Sequence, residues 1–166
     1  NIDIIVKDFM SLNNLLGFDA IFFDLGLSSN QLNDSKRGFS FNFNSPLDMR
    51  MSQKGFSVHD LLNTFREKEI ADIIYKYGEE KFARSIAKNI IKQRQKKEIK
   101  TTFELVDIIR RSIKISRKKT IKKNIATKTF QALRIFVNNE LEEISIALEK
   151  SEKLLLPGGR IIIVSF

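Results

Sequence analysis

Phe18-Asp19-Ala20-Ile21-Phe22-Phe23-Asp24-Leu25-Gly26-Leu27-Ser28-Ser29 decides the reading of this chain. An apolar run of strand length, with Ile21–Asp24 as its buried part, ends in a carboxylate and passes at once into a Gly/Ser turn. In open α/β sheets ligands bind at the carboxyl ends of the strands, so Asp24 stands where chemistry is usually done. The segment that follows has no simple periodicity, yet it carries Phe39, Phe41, Phe43, Leu47, Met49 and Met51. A plain surface loop is more polar, so this one packs on something or covers something.

Farther out the period changes. Ile2–Val6 reads as a short strand and Phe9–Leu16 as a short helix or turn. From Val58 to Lys97 the spacing is helical. Ile70, Ile73, Ile74 and Tyr77 fall on one face, and Phe82, Ile86 and Ile90 stack at four-residue intervals. Gly78 suits a helix end. Thr101-Thr102-Phe103-Glu104 is a capping-box pattern that opens another helix, with Leu105, Ile108, Ile109 and Ile113 inward. One long helix is expected from Thr127 to Leu154, broken by Pro157-Gly158-Gly159. Arg160–Val164 then reads as a buried parallel strand. A helical block thus interrupts an alternating α/β pattern. The expected fold class is α/β: part of a Rossmann-like core over 1–52 and 126–166, with a helical block over 53–125.

Composition narrows the function. The 166 residues contain no Cys and a single His, so thiolate and histidine metal sites are excluded, and His59 reads as a surface or helix-start residue. No apolar run approaches a membrane span, no basic-then-apolar leader opens the sequence, and a cytoplasmic setting is expected. The net charge is +9, and it is unevenly placed. From Ile108 to Asn139 there is no Asp or Glu, while Arg110, Arg111, Lys114, Arg117, Lys118, Lys119, Lys122, Lys123, Lys128 and Arg134 are all basic. A localised basic patch is the footprint of phosphate binding, so these residues are the candidates for nucleic-acid contact, the alternative being a solvated helix end and loop. Arg37, Phe39, Phe41 and Arg50 are further candidates, for positioning RNA or stacking on a displaced base. Thr127 is either a helix cap or part of a phosphate-binding helix start.

Several stretches carry a resemblance. Asp24–Leu32, Arg37–Phe41, Pro46–Met51, Tyr77–Ala83, Ala126–Ile135, Val137–Glu143, Pro157–Arg160 and Val164–Phe166 together resemble the 16S rRNA (cytosine-N4-)-methyltransferase family, in family order over essentially the whole chain. The sequence departs from that pattern at Asn30, at Asn124-Ile125 and at Lys128, where Arg would give bidentate geometry. The resemblance implies a class I methyltransferase core with an inserted all-helical subdomain, S-adenosylmethionine as cofactor and the small-subunit rRNA as partner. It implies cofactor contacts at Phe9, Asp24 and Gln31, with Asp24 also the catalytic candidate. A carboxylate that accepts a hydrogen bond from the cytosine amine raises its electron density and aims it at the methyl group. Two readings stay open: a methyltransferase, or an inert remnant that keeps RNA affinity. Activity on a protein or small molecule fits the basic window less well.

None of the seven glycines forms G-x-G, and no acid stands where the ribose would be held. The expectation is a central piece of a longer protein. Accordingly, isothermal titration of the 166-residue chain with S-adenosylmethionine is expected to show binding weaker than micromolar. A micromolar dissociation constant, about −8 kcal/mol, would mean that the residues present already form most of the site.

Overall fold

The computed structural model describes residues 16–113 and 125–165. The strand expected at Ile2–Val6 and the segment from Phe9 lie outside them. The chain divides into two compact units, one formed by residues up to Leu27 together with Leu141 onward, the other by Ser28–Glu140.

The first unit holds β1 (Phe18–Leu25), β2 (Leu155–Ser165) and most of a helix that runs Glu140–Leu154. The two strands pair in parallel, with Ala20 opposite Arg160, Phe22 opposite Ile162 and Asp24 opposite Val164. The register slips between Phe18 and Ala20, and Pro157-Gly158-Gly159 is taken up there as a bulge within β2 rather than as a break before it. Both strands are longer than expected, and they are less buried. Phe23, Leu25 and Ile163 share an apolar hollow with Ile144, Ala147 and Leu148 of the helix. Phe22 is 62% exposed and Ile162 49%. Alternation puts these two on the opposite face of the sheet, which no described element of this unit covers.

The second unit contains α1 (Ser29–Asn33), α2 (Val58–Thr64), α3 (Glu67–Gly78), α4 (Ala83–Arg94), α5 (Thr102–Ser112) and α6 (Thr127–Val137). Glu140–Leu154 is therefore α7. The single long helix expected over Thr127–Leu154 is two helices. It stops at Asn138, and Asn139 takes φ 49°, a left-handed conformation that ends a helix. Helix starts follow local rules. Ser57 with Asp60 and Thr101 with Glu104 each form a reciprocal cap.

α3 packs against both α4 and α6, and α4 against α5. Ile70, Ile74, Ile86, Ile90, Leu105, Ile109 and Leu133 are fully buried between them. Each such side chain contributes about 1.5–3 kcal/mol of transfer free energy. Tyr77 is only half-buried and stands 6.2 Å from Phe136. Phe82, expected inward, is 45% exposed because α4 begins after it. Gly78 is the last residue of α3, but its smallness serves packing. A Cβ there would sit 2.4 Å from the carbonyl oxygen of Lys128, so only glycine lets α6 come this close.

The unit extends beyond the 53–125 block, because the aromatic-rich segment before it is part of the same core. Phe39, Leu47 and Met49 are buried. Phe41 packs edge-on against Phe130 at 5.3 Å. Thr102 ties this segment to the start of α5: its hydroxyl donates to the Phe43 carbonyl (2.6 Å) and accepts from the Ser45 N–H (3.0 Å). Asn138 ties it to the end of α6. Its amide donates to the Met49 carbonyl (2.7 Å) and the Arg134 carbonyl (2.9 Å), and its Oδ1 accepts from the Met51 N–H (2.6 Å). Met49 itself has φ 59°, a strained state for a non-glycine residue.

Two outcomes follow. Asn138→Ala should lower unfolding stability by about 2–3 kcal/mol, since it orphans main-chain groups around a strained residue. Urea melts should show a lower midpoint at unchanged slope. The second concerns Asp48, which the Arg50 side chain grips at 2.8 Å through each carboxylate oxygen. The Arg50 guanidinium holds the Asp48 carboxyl below its ordinary value. A depressed folded pKa stabilises above the unfolded value and is lost as pH falls through the folded one. Asp48→Asn should therefore cost about 1 kcal/mol at neutral pH. The gap from the parent should close below about pH 4 in melts taken across pH.

Candidate functional site

The strand end and the helical unit each hold part of what the sequence singles out. β1 delivers Asp24 next to its last residue, Leu25, and the chain then turns at Gly26, whose φ is 129°. That backbone state belongs to glycine, and a Cβ placed there would meet nothing within 4 Å, so the space beside the strand end is open. Asp24 is exposed. Among the described residues no hydrogen bond or ion pair engages its carboxylate. A turn-capping acid would be spent on neighbouring N–H groups; this one is left facing outward with its acceptor oxygens available.

Gln31 stands in the other compact unit, in α1. Its side-chain oxygen accepts from the Ser28 N–H at 3.0 Å, while its own N–H donates to the Ser28 hydroxyl at 3.2 Å. It is the third-position partner in a capping box. That leaves the amide NH2 as the group with which Gln31 can meet a ligand. The Ser-x-x-Gln spacing in Ser28–Gln31 was the sequence signal for this role.

The basic candidates separate by what their side chains hold. Arg37 donates to the Arg50 carbonyl (2.8 Å) and the Met51 carbonyl (2.9 Å), and its guanidinium lies 5.5 Å from the Phe39 ring centre. Arg50 is gripped by Asp48 and also donates to the Gly55 carbonyl at 2.7 Å. Arg134 forms a two-pronged ion pair with Glu140, at 2.7 and 3.0 Å. These three guanidinium groups are used inside the protein. Phe39 is buried and Phe41 packs edge-on against Phe130, so both serve local packing, the commoner role of phenylalanines in such a segment. Lys128 donates to the Glu79 carbonyl at 3.0 Å. Arg110 is exposed, 4.0 Å from Asp107. Arg111 is exposed with no ion pair among the described residues. Lys114, Arg117, Lys118, Lys119, Lys122 and Lys123, like Phe9, lie outside the described residues.

The helical unit brings together two distant motifs. Tyr77-Gly78-Glu79-Glu80 at the end of α3 and Thr127-Lys128 with Gln131 at the start of α6 line one open cavity of about 490 Å3, joined by Lys76, Phe82, Ile113 and Ile125. The cap of α6 is Ala126, and Thr127 is its first helical residue, so Thr127 is not the cap. Glu80 is nearly buried, with Oε1 accepting from the Phe82 N–H at 2.9 Å. The hydroxyl of Thr129 is buried with no hydrogen-bond partner among the described residues. Lysines at this cavity are balanced by the two glutamates. No cluster of three or more metal-ligating side chains occurs among the described residues.

Comparison with known proteins identifies the family. The model of the MraW methylase family matches residues 3–166. The chain is 48% identical over 151 residues to the ribosomal RNA small subunit methyltransferase H of Lactobacillus acidophilus, covering 90% of this chain and 48% of that protein. The protein of the same name from Lactobacillus helveticus is 46% identical over 161 residues, with 96% and 51% covered. That of Rickettsia canadensis is 50% identical over 149 residues, with 90% and 47% covered. The chain thus spans about half the length of the curated relatives it matches. With the match running from residue 3 to residue 166, through the Asp24 strand end and both motifs of the cavity, the chain belongs to the MraW methylase family.

Proposed function

We propose that this chain is part of an S-adenosylmethionine-dependent enzyme that methylates N4 of a cytosine in small-subunit ribosomal RNA. The observation that carries the proposal is Asp24: a carboxylate beside the end of a parallel strand, next to an open glycine turn, with no hydrogen-bond or ion-pair partner among the described residues. The names of the relatives support the rRNA substrate. A cytoplasmic setting follows from a ribosomal substrate.

The residues present fit one side of the cofactor. The open space at Gly26 admits a ligand against the backbone, and the Asp24 oxygens complement positive charge. When bound, S-adenosylmethionine supplies an electrophilic methyl group on a sulfonium. Everything else is the work of the chain. The N4 amine of cytosine is a weak nucleophile because its lone pair is delocalised into the ring. Asp24 accepts a hydrogen bond from that amine, raises its electron density and fixes its direction. The same negative charge favours the positive charge that develops on the nitrogen. We read the Ser28–Glu140 unit as the helical insertion between two neighbouring strands of the core, since β1 and β2 pair directly while that unit lies between them in sequence.

The acid-free basic window from Ile108 to Asn139 favours a second reading, in which the chain binds RNA without catalysis. One substitution separates the two. In the protein that carries this chain together with a glycine-rich cofactor turn, Asp24→Asn should slow single-turnover methyl transfer to small ribosomal subunits by about a hundredfold or more, with an unchanged thermal melt. Asn is isosteric and still serves a turn. A rate close to the parent's would leave Asp24 as a turn residue and require another group to orient the amine.

A further inference from the structure

We propose that the groove between α4 and α5 docks the phosphodiester backbone of RNA; the proposal rests on the reading of this chain as part of an rRNA-modifying protein. The groove has a volume of about 200 Å3 and is lined by Asn89, Lys92, Gln93, Lys96, Ile108 and Arg111. Of these, the basic window at 108–139 contains only Ile108 and Arg111. The rest comes from a second acid-free stretch, Phe82–Lys97, whose charge is hidden in the whole-chain balance because acidic helices offset it.

Within this stretch Arg84, Lys88, Lys92 and Lys96 recur every fourth residue. That interval is about 6 Å along a helix, so they form one row, which Lys96 continues past the end of α4. Like charges at this spacing destabilise a helix, and no Asp or Glu relieves them inside it. The neighbouring α3 carries Glu67, Glu69 and Asp72 among its lysines. A merely lysine-rich composition would mix the signs in α4 as it does in α3.

The basic residues of the stretch divide by geometry. Arg94 donates to the Leu62 carbonyl at 2.9 Å and Lys97 pairs with Glu104 at 3.0 Å. Lys92 and Lys96 are exposed, as is Arg111 across the groove, and none of the three has an ion pair among the described residues. The walls are fixed relative to each other: the Ser85 hydroxyl donates to the Ser112 carbonyl (3.0 Å) and the Asn89 amide to the Ser112 hydroxyl (2.8 Å). Three converging cations on a rigid polar groove, with the Gln93 amide between them, match a phosphate–ribose backbone: cations for phosphate and an amide for the 2′-hydroxyl.

The test is fluorescence anisotropy of the chain with a fluorescein-labelled RNA hairpin across a salt series. The combined variant Lys92→Gln, Lys96→Gln, Arg111→Gln should bind about tenfold more weakly, and the slope of log affinity against log salt should shrink by about two. Lys97→Gln should change neither. In the parent, the hairpin should protect Lys92 and Lys96, but not Lys97, from amine acetylation. Equal affinity and slope in the combined variant, or equal acetylation with and without RNA, overturns the groove while leaving the rRNA reading intact. A parent chain that fails to bind the hairpin at all overturns both. Tighter binding of polyglutamate than of RNA, lost in the same variant, overturns RNA as the occupant and assigns the groove to an acidic protein.

Discussion

The side chain of Asn138 holds the end of α6 to the aromatic-rich segment early in the same unit. One amide reaches across 87 and 89 residues of sequence to the main chain of Met51 and Met49. Met49 is buried with a positive φ, a state that persists only where its surroundings over-determine it. Asn138 satisfies its carbonyl, and its N–H donates to the Arg37 carbonyl at 2.9 Å. With that point fixed, Arg37 can reach the Arg50 and Met51 carbonyls, and Arg50 can close on Asp48 and Gly55. Phe39, Leu47 and Met49 then enter the core in place of an ordinary surface loop.

This arrangement divides the cations by type. Arg37, Arg50, Arg94 and Arg134 all spend guanidinium donors on main-chain carbonyls or on a carboxylate within the unit. A planar fork with several donors suits such fixed geometry, whereas an ammonium on a flexible stem suits solvent and phosphate. The exposed positive charge of the described residues is carried mostly by lysines such as Lys88, Lys92 and Lys96, with Arg66, Arg84, Arg110, Arg111 and Arg160. The Arg37 and Arg50 guanidinium groups hold main-chain carbonyls and Asp48, so these residues have a structural role of their own beside any contact with RNA.

At the strand end the economy is reversed. Among the described residues Asp24 has no hydrogen-bond or ion-pair partner, and a Cβ at Gly26 would meet nothing within 4 Å. A group that stabilised the fold would be engaged, as Asp48 and Glu140 are. Among the described residues this carboxylate contributes no hydrogen bond or ion pair to the fold, which is why it is the candidate for ligand contact.

How much was legible in the sequence depends on the range of the interaction concerned. Strand, turn and cap signals are local. Thr101–Glu104 specified its own helix start, the apolar spacing of Ile70, Ile74, Ile86 and Ile90 gave the buried faces, and the Asp24-Leu25-Gly26 turn placed the candidate carboxylate. The Ser28–Gln31 cap is equally local, a reciprocal Ser-x-x-Gln pair at the start of α1. The rest is non-local. The break at Asn138 depends on Met49 and Met51, which no helical periodicity reports. The burial of Phe39 and the edge-on contact of Phe41 with Phe130 depend on a helix far along the chain. The groove of α4 and α5 joins Lys92 to Arg111, residues that the sequence separates and that helix packing brings face to face. The sequence by itself determined the elements, their caps and the carboxylate at the strand end, because those follow from neighbours within a turn. Only the tertiary structure decided which cations are spent and which are free, because that depends on the main-chain groups that packing brings within reach.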